Sequence, residues 1–396
     1  MRPDLTSSRG ASLIEYGLIL GFAGISAVAL VQSVGYQVAD TIGGVEDSLF
    51  SHVGQGRLDP NAFALQISGS EATIYPRTGG SIEVDWGNRA ANSQCGRTFV
   101  AGSSASCSYD EPGTYRVSIT GNMTSYGDAG GGDTNEAITR VLQWGNTGLT
   151  SLEAAFIGAS NLVDVPANIP ASVTSLSSAF FGASALNDAD ISLWNTGSVV
   201  DFSNVFEGAS SFDVDVGAWD VSSGLYFYRM FREATSFNQD IGSWDMRNAQ
   251  TTQGMFRGAF AFDRDLSAWD VSSVRTMQAM FMDKDYNHDV SGWDVGAVEV
   301  FAYMFSYNTT FDQDISSWDV SNATSLNSTF LNAPSFSHDI SSWNTENVVD
   351  MERTFQGASS FTPDLSGWCV SNIPTQPENF SYGSGMTGEP VWGSCP

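Results

Sequence analysis

The sequence predicts three structural units in series: a long apolar N-terminal α-helix, an all-β sandwich, and an α/β solenoid with a 25-residue period. Three observations carry this. Residues from Ala11 to about Ala39 are apolar almost all round a helix. Between residues 72 and 121, apolar and polar residues alternate between Gly and Pro punctuation. From Trp144 to Phe380 one aromatic pattern returns at a fixed interval.

A chain of 396 residues is long enough to bury a core in each of two or three units. Its 44 acidic residues against 16 basic ones give a formal charge of -28. Such a surface repels phosphate, which excludes nucleic acid as a partner.

The first unit opens with the polar stretch MRPDLTSSRG. In the apolar run that follows, Gly17, Gly21 and Gly24 fall at helical spacing and let neighbouring helices approach closely. At 1.5 Å per residue the helix is roughly 40 Å long, enough to cross a bilayer. Glu15 lies inside it, where a carboxylate is costly. A secretory signal cleaved after Ala27-Val28-Ala29 explains the apolar run and leaves Glu15 unexplained.

Gly10, followed by Ala11-Ser12-Leu13-Ile14-Glu15-Tyr16, resembles the Flp-type pilins of tight-adherence (Tad) pili. The resemblance implies a leader over 1–10, cut by a prepilin peptidase between Gly10 and Ala11, and a pilin-type helix over 11–52. It also implies that Glu15 and Tyr16 serve assembly, with Glu15 neutralising a neighbouring subunit's terminal amine in the filament core. The implied partners are other pilin subunits and the inner membrane, met through 11–39, with export to the cell surface afterwards. Typical Flp pilins are very short, so the length of this chain favours a minor or tip position. An uncleaved single-span anchor is the alternative.

The second unit, over 53–125, contains "ATIYP", "GSIEVDWGN" and "GTYRVSITG", which read as strands of a half-buried antiparallel sheet. "IEVDWGN" and "YDEPGTYRVSITG" resemble the polycystic-kidney-disease (PKD) type β-sandwich, an extracellular spacer. Trp86 and Tyr115 are then core, and Asp85 and Asn88 are turn-capping residues before they are cation ligands. "YGDAGGGDTN", 126–135, reads as a linker.

In the third unit Phe156, Phe181, Phe206, Phe231, Phe256, Phe281, Phe305, Phe330, Phe355 and Phe380 lie 25 residues apart, with one step of 24 between Phe281 and Phe305. Trp194, Trp219, Trp244, Trp269, Trp293, Trp318, Trp343 and Trp368 keep the same interval, which signals stacked units that cannot bury their apolar faces alone. Trp144 leads the series, and the second unit has Ile169 in place of a Trp and reads as a bulged rung. The aliphatic residue and Trp of each unit read as a strand-like rung, and Val274, Met277 and Phe281 as a helical turn opposite it.

"SFNQDIGSWDM" and "TFDQDISSWDVSNATSL" resemble the BspA-type leucine-rich-repeat-like surface proteins. The resemblance covers 136–368 and implies display of a repeat surface for adhesion or recognition of an extracellular protein or glycan. A structural filament or envelope subunit without a specific ligand is the alternative. Tyr226, Tyr228, Tyr303 and Tyr307 depart from the repeat and form either a sticky face or core.

Asp215, Asp240, Asp265, Asp289, Asp314 and Asp339, with Asp190 and Asp364, recur at one position, so a stack sets their carboxylates about 5 Å apart. Each caps turn amides, or calcium bridges them; no other cofactor is expected. Cys95, Cys107, Cys369 and Cys395 form two sequence-local pairs without a zinc-like spacing. They read as disulfides Cys95–Cys107 and Cys369–Cys395 of an oxidising compartment, or as inert thiols, and 369–396 reads as a cap on the last rung. The three histidines, His52, His288 and His338, have no nucleophile or metal-binding arrangement, so no enzyme is expected.

Overall fold

The computed structural model describes residues 58–77, 81–87, 97–100, 104–127 and 135–396. Within Leu58–Pro396, one compact unit, an antiparallel sheet leads into a stack of turn-built coils. The leader, the 11–52 helix, Gly10, Ala11, Glu15, Tyr16, His52, Asn88 and Cys95 lie outside the described residues.

Strands β1 (Phe63–Ile74), β3 (Ile82–Asp85), β4 (Arg97–Val100), β5 (Ala105–Gly121) and β7 (Ile138–Gln143) form one sheet in the order β4-β3-β5-β1-β7. The pairs β2 (Pro76–Arg77) and β6 (Ser125–Tyr126) make a separate two-stranded ladder. Among the described residues the expected two-layer sandwich is therefore corrected to a single five-stranded sheet with a short flap. Its apolar residues have another surface to bury against: the Phe63 ring lies 4.8 Å from Tyr126 and 6.0 Å from Trp144, and Tyr126 lies 5.7 Å from Phe156 of the first coil. Tyr126, placed in the expected linker, is fully buried. The Val141 amide donates to Asp164 O (2.9 Å), and the Asn135 amide donates to Ile157 O (3.2 Å), so the sheet end supplies partners for the first coil.

Each coil rests on the next through single parallel bridges that run from Ser125↔Ser151 to Ser325↔Asp350. After each bridge the chain makes two turns in succession. In the coil that starts at Thr276, Met280 N donates to Met277 O (3.1 Å) and closes the first turn, while Ala279 N donates to Ala302 O of the next coil (2.8 Å). Ala279 has φ 55°, in the left-handed region that a right-handed helix excludes. The helical turn expected at Val274, Met277 and Phe281 is thus corrected: alternate amides point to the neighbouring coil and not along an axis. Among the described residues the one helix is a 3₁₀ helix, Ala189–Leu193. The α/β class fails for the repeats, and the segment Ile241 to Trp244 is likewise a turn, closed by Trp244 N to Ile241 O at 3.1 Å.

The core is a set of aromatic columns. Phe206, Phe231, Phe256, Phe281, Phe305, Phe330 and Phe355 stack in series with ring centroids 5.5 to 6.0 Å apart. One assignment shifts: Phe180, not Phe181, occupies this column, 5.6 Å from Phe156 and 5.8 Å from Phe206, and Phe181 faces solvent. The first coil, from Ser151 to the Ser175 bridge, is thus one residue short, and the second, from Ser175 to the Asp201 bridge, has one residue more, taken up by the 3₁₀ helix. At the far end Val370 N donates to Ser394 O (2.8 Å), Trp392 packs edge-on to Phe380 (4.9 Å), and Cys369 is bonded to Cys395.

Candidate functional site

From Phe206 onward the period fails at one place, and a notch opens there. The coil starting at Thr251 passes through Ala259-Phe260-Ala261-Phe262, and the coil starting at Val300 through Asn308-Thr309-Thr310-Phe311. Between them the coil starting at Thr276 makes the same passage in three residues, Lys284-Asp285-Tyr286. Tyr286 takes the buried Phe position, 4.1 Å from Phe281 and 6.4 Å from Phe262, so the residue is lost from the surface side of the coil.

The cavity left is about 680 Å³. Phe260, 66% exposed, flanks it from one neighbouring coil, and Tyr307, 47% exposed, from the other. The shortened coil contributes Asp283 and Asp285 between them. Elsewhere the Phe260 position holds Ser210, Thr235, Thr309, Pro334 or Ser359, and the Tyr307 position holds Gly208, Glu233, Gly258, Asp283, Asn332 or Gly357. Phe181, Tyr226 and Tyr382 are exposed on other coils, and the notch is where two exposed rings stand on the coils either side of a shortened one. Exposed aromatic area of this kind marks interaction sites more often than it serves folding.

Polar contacts order the notch. The Thr309 amide and hydroxyl donate to Asp285 Oδ1 (2.9 and 2.8 Å), and Arg257 Nε donates to Asp283 Oδ2 at 3.4 Å. Glu233, also on the wall, pairs with Arg232 at 2.8 Å. Lys284 stands where other coils bury Ala209, Ala234 or Ala259; it is 4% exposed, and its ammonium donates to Asp285 O at 2.5 Å. Burial pushes this ammonium below its ordinary range, and Asp263 and Asp285 oppose the shift. A smaller cavity of about 180 Å³ adjoins through Arg257 and includes Arg229, Met282 and Tyr303. Of the four tyrosines singled out in the sequence, Tyr307 lines the notch and Tyr303 the smaller cavity. Tyr226 is exposed at a bridge position, and Tyr228 is half-buried under the Arg229 guanidinium at 4.5 Å.

The repeated aspartates cap turns. Oδ1 of Asp215, Asp240, Asp265, Asp289, Asp314 and Asp339 accepts the amide two residues on, at 2.8 to 3.1 Å. Hydrogen bonds from the Ser267 amide and hydroxyl hold Asp265 below the usual carboxylate range, and those from the Ser291 and Ser316 hydroxyls, with their amides, do the same for Asp289 and Asp314. Among the described residues no group of three or more His, Cys, Asp or Glu side chains is placed to hold a metal ion. Asp85 caps Gly87 in the same way (2.9 Å).

Trp194, Trp219, Trp244, Trp269, Trp293, Trp318, Trp343 and Trp368 are buried, and each indole N–H donates to a backbone carbonyl of the preceding coil at 2.9 to 3.2 Å. Cys107 is disulfide-bonded. His288 contacts Asp263 (2.8 Å), and His338 contacts Asp312 O (3.0 Å).

Two polar rows escaped the reading of the sequence. Asp220, Asp270 and Asp319, after each Trp, cap the amides of Ser222, Ser272 and Ser321. Asn187, Asp213, Asn238, Asn287 and Asp312 each accept, through Oδ1, an amide of the next coil at 2.8 to 3.0 Å. The signal was the Asn or Asp that follows the second Phe of each unit, as in "SFNQD".

Fold and surface together define a class: an acidic stack of turn-built repeats, locked by a disulfide and carrying a notch at its shortened coil. The chain belongs to the family described as Mycoplasma protein of unknown function, DUF285, whose model matches residues 174–287 and 282–389, more than half of the sequence. No curated protein and no solved structure matches the chain. The match lies wholly in the repeats, and among the described residues no helix is long and apolar enough to cross a membrane. On these findings the pilin assignment is corrected. The family is that of the repeats, and neither prepilin processing nor inner-membrane insertion has support in it.

Proposed function

We propose that this is a recognition protein of the surface-repeat type, in which the stack is a rigid scaffold and the notch is the contact face for an extended protein or glycan. The observation that carries the reading is the coincidence of the shortened coil with two exposed aromatic rings, Phe260 and Tyr307. A rigid row of coils holds such side chains at fixed spacing, so little entropy is lost when a ligand is bound. The Cys369–Cys395 disulfide supports work in an oxidising compartment.

The test is binding of the purified full chain to an array of immobilised peptides and oligosaccharides, compared with the double variant Phe260→Ala/Tyr307→Ala. Ligands retained by the parent are expected to be lost by the double variant. Retention of every ligand by the double variant, or no retention by the parent, would overturn the reading.

A further inference from the structure

We infer that the notch receives a cationic side chain, lysine or arginine, of an extended peptide. The inference rests on the notch being the ligand-contact face and adds the chemistry of what enters it.

Its first support is the pairing of ring faces with carboxylates. Phe260 and Tyr307 flank the space on two sides, and ring faces attract cations that carboxylates can also neutralise. Asp285 Oδ1 is engaged by Thr309, and Oδ2 makes no hydrogen bond among the described residues, so an acceptor stands ready between the rings.

The second support is independent of the cavity. The protein already keeps an ammonium beside the notch: Lys284 is buried where other coils place alanine, and the charges of Asp263 and Asp285 offset part of the cost of burying it. The Asp263 and Asp285 carboxylates thus favour positive charge here, against the cost of burial. Glu233, Asp283 and Asp285 outnumber Arg257 and the adjoining Lys284 by one charge, so the notch still favours positive charge.

The third support is the whole chain. A formal charge of -28 steers cationic ligands to the surface and repels acidic ones, whereas a neutral glycan gains nothing from that field. Field alone would make binding indiscriminate; the rings and Asp285 make it local.

The experiment is titration calorimetry of the full chain, at physiological ionic strength, with a peptide of alternating Gly and Arg, an alternating Gly and Glu peptide, and a neutral chito-oligosaccharide. The Arg peptide is expected to bind, and its affinity to fall about tenfold in Asp285→Asn and in Phe260→Ala. Glu346→Gln, an exposed site on a distant coil with the same change in net charge, is expected to leave affinity unchanged. Equal weakening by Glu346→Gln and Asp285→Asn would overturn the inference in favour of non-specific charge attraction. Binding of the oligosaccharide but not the Arg peptide, lost in Phe260→Ala, would overturn the ligand class and leave the notch as the contact face. Binding of either probe that ignores Phe260→Ala would overturn the notch itself.

Discussion

Trp269 donates its indole N–H to the carbonyl oxygen of Ile241, one coil earlier, at 2.9 Å. The same bond joins Trp244 to Val216 and Trp293 to Leu266, both at 3.1 Å, so the tryptophan column fastens each coil to the preceding one while filling the core. Trp269→Phe keeps an apolar ring and removes the donor, which leaves a buried carbonyl without this partner. The expected loss is about 1–3 kcal/mol of unfolding free energy. Denaturant titration measures it, and an unchanged midpoint would show that the column is held by ring packing alone.

Ala279 carries φ 55° in the first turn of its coil, a conformation in which the Cβ is crowded by the backbone. One coil earlier the same position is Gly254, φ 63°. The turn's geometry is imposed by the amide that Ala279 gives to Ala302, so the strain is inherited from stacking. Ala279→Gly removes the crowding but gives the unfolded chain more freedom, and the net expectation is a gain of about 0.5–1 kcal/mol. A loss of stability would mean that the methyl group contributes more in packing than the left-handed backbone costs.

The period and the aromatic columns were legible because stacking forces the same residue type back to the same place. The local backbone was not. Val274, Met277 and Phe281 satisfy a helical spacing and also the spacing of two tandem turns, and what separates them is the direction of alternate amides, which depends on a neighbouring coil. A strict count of 25 points to Phe181 in place of Phe180, and the structure breaks that count twice, with a short coil and then a 3₁₀ helix. The 24-residue step was visible, but that it opens a notch depends on Tyr286 staying in the buried column. The sandwich motifs marked real strands; that their apolar face closes onto the first coil, through Tyr126 and Trp144, required the tertiary contact itself.

Asp164 sits where β7 meets the first coils, 2.8 Å from Arg140. Burial and the neighbouring Asp188 push its carboxyl up from 3.8 to about 6, against the pull of Arg140. The folded state therefore holds this proton more tightly than the unfolded chain. Its contribution to stability is full below pH 3.8 and is lost as pH rises through about 6. Asp164→Asn removes this slope. Because the side chain is more than a third exposed, the change between the two limits is expected to be about 1 kcal/mol, well under the full linkage value. Asp190, raised by burial and by the same Asp188, keeps a smaller slope of the same sign. The lowered carboxyls of Asp265, Asp314 and Asp319 act in the opposite sense and in a lower window, since their stability is lost only as pH falls below the ordinary carboxylate value of 3.8. Melting temperatures of parent and Asp164→Asn between pH 4 and about 7 separate the two effects; identical slopes would exclude Asp164 as their source.

Lys284 gives the complementary alkaline test. Burial lowers its ammonium from the ordinary value of 10.5, so the unfolded chain binds the proton more tightly than the folded one. Stability is then expected to rise as pH climbs through the lowered value towards 10.5, and below that window the buried charge is a cost that Asp263 and Asp285 only partly offset. Lys284→Met keeps the length of the side chain and removes the charge. It is expected to abolish the rise and to be more stable than the parent at neutral pH by about 1 kcal/mol. The comparison belongs below pH 10.0, because burial raises Tyr286 above that ordinary value and its loss of stability on further alkalinisation runs the other way. A parent protein that destabilises steadily from neutral pH to that limit, or a Lys284→Met variant that retains the rise, would show that the ammonium is solvated and that the coil tolerates it for a different reason.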